Sequence, residues 1–258
     1  MSYLVIKLGG ELAARPQQLE LIAKGIKEHQ QAGAKIILVH GGGPQINKWS
    51  ERLAIPVNKR HGRRVTDKAT MEVMQAVVAG VVNPELVAKF REYGVHAAGL
   101  TGVDAGITTA VKRAPLSYGD ETIDYGLIGE ISNIDTSYIS LLTDNNIVPV
   151  ISCLTWSKDD GILNINADTL AQYIAVEMIF SELILLAGVP GVYDADEKMI
   201  SRLSYDEWVE GLSSGWITTG MQPKLENGFR ALEKGIKKVI ITNPEGWISG
   251  NTTTLTYK

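Results

Sequence analysis

The sequence is poor in the residues and motifs that mark several large classes of protein. Of its 258 residues, one is cysteine, Cys153, and four are histidine. A single cysteine excludes a framework of internal disulfides and is typical of a reducing compartment. Because Cys153 follows an apolar run, we expect a small buried side chain rather than a nucleophile. The histidines lack the H-E-x-x-H and C-x-x-C neighbours of zinc sites, so we assign no residue as a metal ligand.

The chain also lacks an excess of positive charge and a leader segment. Lys and Arg number 25 and Asp and Glu number 29, which gives a net charge of -4. This balance does not favour nucleic acid or an anionic membrane as a partner. No basic and apolar leader opens the chain, and we find no apolar run close to the roughly 20 residues that span a bilayer. We therefore expect a cytoplasmic protein.

Three familiar motifs of phosphate and acyl chemistry are absent as well. The chain has no G-x-x-x-x-G-K-[ST] loop, no G-x-G-x-x-G turn and no G-x-S-x-G elbow. These absences remove support from a Walker nucleotide site, a dinucleotide-binding domain and a hydrolase with a nucleophile elbow.

What the chain does contain is two apolar segments that run directly into glycine-rich turns. The first covers residues 3–10 and has Lys7 just before the turn; the second covers residues 35–43 and is followed by Pro44. A strand, a glycine turn and a helix start leave backbone N–H groups unpaired, and such groups bind anions. Two turns of this kind beside a lysine predict phosphoryl chemistry without a Walker loop.

Strand-like and helical segments alternate along the chain, which predicts a mainly parallel sheet covered by helices on both faces. Thr66 is the predicted cap of a long helix that reaches about Tyr93, with Pro84 expected to kink or divide it. The last predicted strand, residues 252–257, is expected at an edge of the sheet. The alternation restarts near Ala175, which predicts two lobes.

Five further polar residues have ordinary structural interpretations when each is taken alone. Arg64 precedes a predicted helix and is suited to clamp a carboxylate, although a solvated surface arginine is the commoner case. Asn164 and Asp168 lie at a junction between a strand and a helix, where a carboxylate is stabilised by the helix dipole. Lys224 opens a predicted helix, a position that calls for a compensating anion. His40 is suited to orient the second glycine turn through a hydrogen bond.

Seven segments taken together, in this order, resemble the amino acid kinase family, and most closely its acetylglutamate kinase branch. The segments span nearly the whole chain, and they are residues 7–10 (KLGG), 40–44 (HGGGP), 64–67 (RVTD), 99–102 (GLTG), 164–168 (NINAD), 189–192 (VPGV) and 220–224 (GMQPK). No single segment is specific. The combination in the family's order and spacing carries the resemblance.

The resemblance implies an open, mainly parallel αβα sandwich of the carbamate kinase type with two lobes. The N-terminal lobe, residues 1–175, is then expected to bind the acyl-amino acid and to form a homodimer interface. The C-terminal lobe, residues 176–258, is expected to bind ATP with its Mg²⁺. The implied reaction transfers the γ-phosphoryl group to the side-chain carboxylate of N-acetyl-L-glutamate, a step of arginine biosynthesis. Because that carboxylate is ionised at neutral pH, no general base is required.

The resemblance also implies roles for individual residues. The implied catalytic residues, which surround the transferred phosphoryl group, are Lys7, Lys224, Asp168, Gly10, Gly42 and Gly43. The implied ligands of the acyl-glutamate are Gly42, Gly43, Arg64 and Asn164. The implied ligands of the nucleotide are Gly10, Gly188, Gly191, Met221 and Lys224. In this scheme the two lysines neutralise the phosphoryl group from opposite sides, while the glycine N–H groups donate to its oxygens. Asp168 is expected to lie between the two lysines and to hold both in place.

One segment departs from the family pattern, and two alternatives stay open. Ala187-Gly188 replaces a polar pair that contacts nucleotide in relatives, which leaves the nucleotide contacts open. The first alternative is the same chemistry on N-succinylglutamate or on a carrier-linked aminoadipate. The second is a non-catalytic regulatory protein of the same fold. For a carrier, the expected basic rim is the cluster Lys59, Arg60, Arg63 and Arg64.

The family resemblance bears on assembly too. Arginine-inhibited members carry an additional N-terminal helix that joins dimers into a hexamer. In this chain strand-like residues begin at Tyr3. We therefore expect a homodimer that is insensitive to arginine and is built on the long helix after Thr66.

Overall fold

The computed structural model describes residues 2–178, 182–218 and 220–257. The strands of this part of the chain are β1 (Tyr3–Leu8), β2 (Lys35–His40), β3 (Lys59–Arg60), β4 (Arg63–Arg64), β5 (Ala97–Thr101), β6 (Thr108–Lys112), β7 (Leu116–Tyr118), β8 (Glu121–Ile123), β9 (Gly129–Ile134), β10 (Val148–Ser152), β11 (Leu154–Ser157), β12 (Gly161–Asn164), β13 (Glu182–Leu186), β14 (Val192–Tyr193), β15 (Met199–Ile200), β16 (Arg202–Ser204), β17 (Lys238–Thr242) and β18 (Thr253–Thr256).

The helices alternate with these strands, as the sequence pattern predicts. They are α1 (Pro16–Gln31), α2 (Gly43–Arg52), α3 (Lys68–Met74), α4 (Asn83–Glu92), α5 (Ser137–Asp144), α6 (Ala167–Glu177), α7 (Tyr205–Ser214), α8 (Gln222–Glu233) and α9 (Pro244–Ser249). A π-helical segment, Gln75–Val82, joins α3 to α4, and short 3₁₀ turns cover Leu12–Ala14 and Asp104–Gly106.

Eight strands form one central sheet in the order β16-β18-β17-β13-β1-β2-β10-β5. All neighbouring pairs in it run parallel except β17 and β18, which are antiparallel. The central strands are apolar on both faces: five of the six residues of β1 and of β2 are buried. Strands of that kind belong to a sheet with helices on both sides. The predicted mainly parallel αβα sandwich is confirmed.

The prediction for the last strand is wrong in one respect. β18 lies between β17 and β16 rather than at the edge of the sheet. The edge position belongs to β16, which has three residues and only Leu203 buried. A segment that short is below the length at which alternating hydrophobicity identifies a strand.

The long helix after Thr66 is continuous from Lys68 to Glu92. Its cap is Asp67 rather than the predicted Thr66, because the Asp67 carboxylate accepts the Thr70 N–H at 2.8 Å. Pro84 does not divide the helix. The π-helical segment ends directly before Asn83 and Pro84, and this wider turn takes up the irregularity caused by the missing proline N–H.

The same helix contradicts the expectation that no apolar run of the chain comes close to the length that spans a bilayer. Over its 25 residues it is long and apolar enough, by length and composition alone, to cross a membrane. Core helices pass the same test, and 44% of its most apolar stretch is buried within this chain. It packs against β5, β10 and α1. The remaining apolar surface is therefore a face that a second protein surface can cover.

The carboxyl ends of four parallel strands lie side by side at the same end of the central sheet. In register, Leu8 of β1 lies between His40 of β2 and Leu186 of β13, and Ser152 of β10 lies next to His40. Both glycine turns begin at this carboxyl end of the strands. Helix α6 packs against β1 and α8. In open α/β sheets, ligands bind at this end of the strands. The predicted lobe boundary, Ala175, lies inside α6, and the division into two lobes stays a prediction.

Candidate active site

The two glycine turns are in contact with each other. A Cβ atom on Gly10 would lie 2.9 Å from Pro44 Cδ and 3.3 Å from the Gly43 nitrogen, so a larger residue at position 10 would separate the turns. Gln45 Nε2 donates to the Gly10 carbonyl oxygen at 2.9 Å and fastens the first turn to the start of α2. The cap residue of α2 is Gly42, which has no side chain to cap the helix, so its first N–H groups are suited to a ligand.

A buried ion pair lies beside these turns. Lys7 Nζ of β1 is 3.1 Å from Asp168 Oδ1 of α6, and the two side chains are 9% and 8% exposed. The Asn166 side chain caps α6 by accepting the N–H groups of Asp168 at 2.8 Å and Thr169 at 3.2 Å. Asp168 therefore lies in the first helical turn, where the helix dipole also stabilises its negative charge.

Lys224 completes this group from the first turn of α8. The pKa of Lys224 is lowered, first by burial and then by the positive charge of Lys7, while Asp168 and Glu11 oppose that shift. The expectation that Asp168 holds both lysines is met only for Lys7. In the described part of the chain Asp168 forms its ion pair with Lys7, whereas its charge acts on Lys224 over a longer distance. The two lysines share one site in which Lys224 has no ion-pair partner in the described part of the chain. Such a site is suited to an anionic ligand.

Glu11 is a site residue that the sequence interpretation missed. Its Oε1 accepts the N–H of Gly188 at 3.0 Å, which connects the first glycine turn to the loop after β13. A Cβ atom on Gly188 would lie 3.1 Å from that oxygen. A carboxylate from the first turn thus lies next to Ala187-Gly188, where the polar pair expected from the family is missing. The one signal in the sequence was an acidic residue directly after Gly10.

The other two predicted nucleotide ligands lie in the C-terminal half. Gly191 packs against β18: a Cβ atom there would lie 2.4 Å from Thr253 Oγ1. Met221 is half-buried and precedes α8, three residues before Lys224. Their contact with a nucleotide stays a prediction.

Arg64 lies beside the second glycine turn. Its Nη2 donates to Asn47 Oδ1 at 2.5 Å and is 3.5 Å from the Gly43 carbonyl oxygen. Its Nη1 is buried and has no hydrogen-bond partner among the described residues, and burial lowers the Arg64 pKa. A buried donor without an acceptor is costly, which indicates a place for an anionic ligand. Asn164, the last residue of β12, donates to Thr66 Oγ1 at 3.3 Å.

Cys153, which directly follows β10, is buried, and its predicted burial is confirmed. Burial raises the pKa of its thiol to about 11, against the opposing positive charges of Lys7 and Arg64. The thiol is therefore protonated at neutral pH and does not supply a thiolate nucleophile.

His40, at the end of β2, is buried and neutral. Burial lowers its pKa from 6.5 to about 4, and its Nδ1 is 2.8 Å from the Gly41 carbonyl oxygen. The prediction that this histidine forms a hydrogen bond to the glycine turn is confirmed.

The lowered pKa of His40 predicts a loss of stability in acid. The unfolded chain takes up the proton below pH 6.5, whereas the folded chain resists it until about pH 4. The free energy of unfolding should fall by about 3 kcal/mol from this group as the pH drops through that window. Urea unfolding of the wild type and of His40→Gln should show a stability difference that shrinks steadily towards acid. A difference that is independent of pH would contradict the assignment.

The fold and the site together define a class of protein: an α/β protein with buried lysines at the carboxyl ends of parallel strands, beside glycine turns that are not Walker loops. The sequence matches the amino acid kinase family over residues 2–243. The chain belongs to that family.

Several relatives are similar over most of their length. The chain is 41% identical to an acetylglutamate kinase of Sorangium cellulosum, over 92% of this chain and 86% of that protein. It is 38% identical to an acetylglutamate kinase of Methanopyrus kandleri, over 96% and 98% of the two chains.

Solved structures share the fold. A Streptococcus mutans protein superimposes with a TM-score of 0.82 at 29% identity, covering 99% of both chains. An N-acetylglutamate synthase of Neisseria gonorrhoeae has a TM-score of 0.83 at 21% identity, covering 99% of this chain and 59% of that one. At that identity, the second likeness shows the fold alone.

Proposed function

We propose that this protein is a kinase that transfers the γ-phosphoryl group of ATP to the side-chain carboxylate of N-acetyl-L-glutamate. The product is N-acetylglutamyl 5-phosphate, and the step belongs to arginine biosynthesis in the cytoplasm. The observation that carries the proposal is the group of Lys7, Asp168 and Lys224 beside two glycine turns. The relatives named acetylglutamate kinase, at 41% and 38% identity, support the choice of substrate.

The chemistry needs positioning and charge neutralisation. An oxygen of the substrate carboxylate forms a bond to the γ-phosphorus as the bond to the ADP oxygen breaks, so no proton has to be removed. The two reactants are both anions, and Lys7 and Lys224 offset their repulsion. The N–H groups of Gly10, Gly42 and Gly43 donate to the phosphoryl oxygens. Asp168 holds Lys7 in place through the 3.1 Å ion pair.

The nucleotide is proposed to bind as its Mg²⁺ complex across the C-terminal half, residues 176–258. The described residues include no group of three or more His, Cys, Asp or Glu side chains that could hold a metal ion. Mg²⁺ commonly keeps several waters and is bound by substrate phosphates with few carboxylates, so the residues present fit an ion that arrives with ATP. The proposed nucleotide ligands are Gly10, Gly188, Gly191, Met221 and Lys224.

The acyl-glutamate is proposed to bind in the N-terminal half, residues 1–175. Arg64 is the proposed partner of its α-carboxylate, because Nη1 is buried without a hydrogen-bond acceptor among the described residues. Asn164, with Gly42 and Gly43, is proposed to hold the remaining polar groups of this substrate.

Replacing Arg64 with lysine should raise the KM for N-acetylglutamate about 10- to 100-fold. The variant loses a charged hydrogen bond, worth about 1.5–3 kcal/mol, and the planar geometry that matches a carboxylate. The KM for ATP should change little. Arg63→Lys is the matched control, because Arg63 is the exposed neighbour of Arg64. An unchanged KM for N-acetylglutamate in Arg64→Lys would remove Arg64 from the substrate site.

The homodimer is proposed to form along the long helix and the edge strand β5. One row on that helix, Ala76, Gly80, Pro84 and Ala88, is small and exposed at intervals of four residues. Residues four apart lie on one helical face, so these positions form one exposed row beside β5, which is the edge strand of the central sheet in the part of the chain that the structure describes.

Sedimentation should give twice the 28.0 kDa mass of one chain. Ala76→Glu should shift the protein towards the monomer, because it places a charge in the proposed interface. Ala195→Glu, at an exposed turn, is the matched control and should leave the mass unchanged. A monomeric wild type, or an Ala76→Glu variant that stays dimeric, would contradict the proposed interface.

The proposed activity is tested by trapping the acyl phosphate with hydroxylamine, in the presence of ATP and a panel of N-acyl glutamates. Hydroxamate formed from N-acetylglutamate supports the proposal. Hydroxamate formed only from N-succinylglutamate, or only from a carrier-linked aminoadipate, moves the protein to that substrate. No hydroxamate from any of them would favour a regulatory protein of the same fold.

A further inference from the structure

Both ring nitrogens of the buried His40 are hydrogen-bonded. Nδ1 lies 2.8 Å from the Gly41 carbonyl oxygen, and Nε2 lies 2.9 Å from Nδ2 of Asn83 on the long helix. The same Asn83 nitrogen is 2.8 Å from the Val150 carbonyl oxygen and 3.2 Å from that of Leu100. Asn83 thus links the long helix, β5 and β10 to the residue that starts the second glycine turn.

The partners of Asn83 fix the position of the proton on His40. The carbonyl oxygens of Val150 and Leu100 only accept hydrogen bonds, so the NH₂ end of the Asn83 amide is the end that faces them. The two hydrogens of that NH₂ group go to its two nearest acceptors, the Val150 oxygen at 2.8 Å and His40 Nε2 at 2.9 Å, so Nε2 accepts. The proton of the neutral ring is then on Nδ1, where it donates to Gly41.

This hydrogen bond controls the direction of a backbone N–H in the site. Glycine leaves the backbone of the turn free to rotate, since it has no side chain to pack. In a trans peptide the carbonyl of Gly41 and the N–H of Gly42 point in opposite directions. Fixing the carbonyl towards His40 therefore fixes the Gly42 N–H on the opposite side.

We infer that His40 and Asn83 are positioning residues, which hold the Gly41–Gly42 peptide so that the Gly42 N–H donates to the transferred phosphoryl group. The inference rests on the proposed function. Gly99 leaves space for the Asn83 side chain, because a Cβ atom at position 99 would lie 2.0 Å from Asn83 Oδ1. Position 99 must be glycine for Asn83 to reach His40.

Two amide variants of His40 test the role of the Nδ1 proton. In His40→Asn the side-chain nitrogen occupies roughly the place of Nδ1 and keeps the donor to Gly41. In His40→Gln the longer side chain reaches towards Asn83 and loses that donor. We expect kcat to fall about 10-fold or more in His40→Gln and to stay within about threefold of the wild type in His40→Asn. The KM for N-acetylglutamate should change less than kcat in both, because Arg64 is unaltered.

Equal losses of kcat in both variants, or no loss in either, would overturn the inference. A structural role alone predicts that the two variants, which are matched in polarity and burial, lose activity together.

A second measurement is independent of catalysis and of the variants' folding. ¹⁵N NMR of the wild-type protein distinguishes the two neutral histidine forms, and we expect the proton of His40 on Nδ1. A proton on Nε2 would overturn the inference even if the protein made no acyl phosphate. A wild type that shows the Nδ1 proton but forms no acyl phosphate would overturn the proposed function and the phosphoryl role of Gly42, while leaving the hydrogen-bond assignment in place.

Discussion

Lys224→Ala should lower kcat about 10²- to 10³-fold, the scale expected for the loss of one group that stabilises charge in the transition state. Lys224 is half-buried in the first turn of α8, and its pKa is lowered by burial and by Lys7. An ammonium at that place gains a partner only when the phosphoryl group arrives. The KM values should change less than kcat, because the interaction strengthens as the charge develops.

Two controls separate this role from general effects of charge. Lys158→Ala removes an exposed lysine between β11 and β12 and should leave kcat unchanged. Lys224→Arg keeps the charge with a different shape and should recover part of the activity. A Lys224→Ala variant with wild-type kcat would show that Lys224 lies outside the phosphoryl site.

Asp168→Ala should lower the free energy of unfolding by about 3–5 kcal/mol in addition to abolishing most activity. The variant leaves the Lys7 ammonium buried without its partner at 3.1 Å, and the cost of an unpaired buried charge is of that order. Urea unfolding at neutral pH measures the change, and the hydroxamate assay measures the activity.

Asp206→Ala is the matched control, because Asp206 occupies the first turn of α7 but is exposed. Asp206→Ala should lower the free energy of unfolding by less than about 1 kcal/mol. Combining Asp168→Leu with Lys7→Met should restore much of the stability, since both charges are then gone, while activity stays absent. A stable Asp168→Ala protein would contradict the buried ion pair.

The parts of the site that follow from local sequence pattern and from the order of the strands were predictable. Each glycine turn follows a buried strand, and parallel strands end at one edge of a sheet, so the meeting of Gly10 and Gly43 follows from local pattern and topology. Lys7 was identifiable for the same reason. Lys224 and Asp168 were found only through the family resemblance, because their helix positions alone have ordinary interpretations.

Contacts between distant side chains were not predictable. Glu11 reaches Gly188 across 177 positions of sequence, and Asn83 reaches His40 across 43. Neither pairing leaves a local pattern of spacing or hydrophobicity. The π-helical segment before Pro84 was missed for a related reason: a proline in an apolar helical pattern predicts a break unless the neighbouring packing is known.

The central claim is that the γ-phosphoryl group passes between Lys7 and Lys224 over the glycine turns. The most direct test is a crystal structure with MgADP, N-acetylglutamate and aluminium fluoride, which mimics the transferred phosphoryl group. We expect the fluoride atoms within hydrogen-bond distance of both lysine Nζ atoms and of the N–H groups of Gly10, Gly42 and Gly43. An aluminium fluoride group bound away from either lysine would contradict the account.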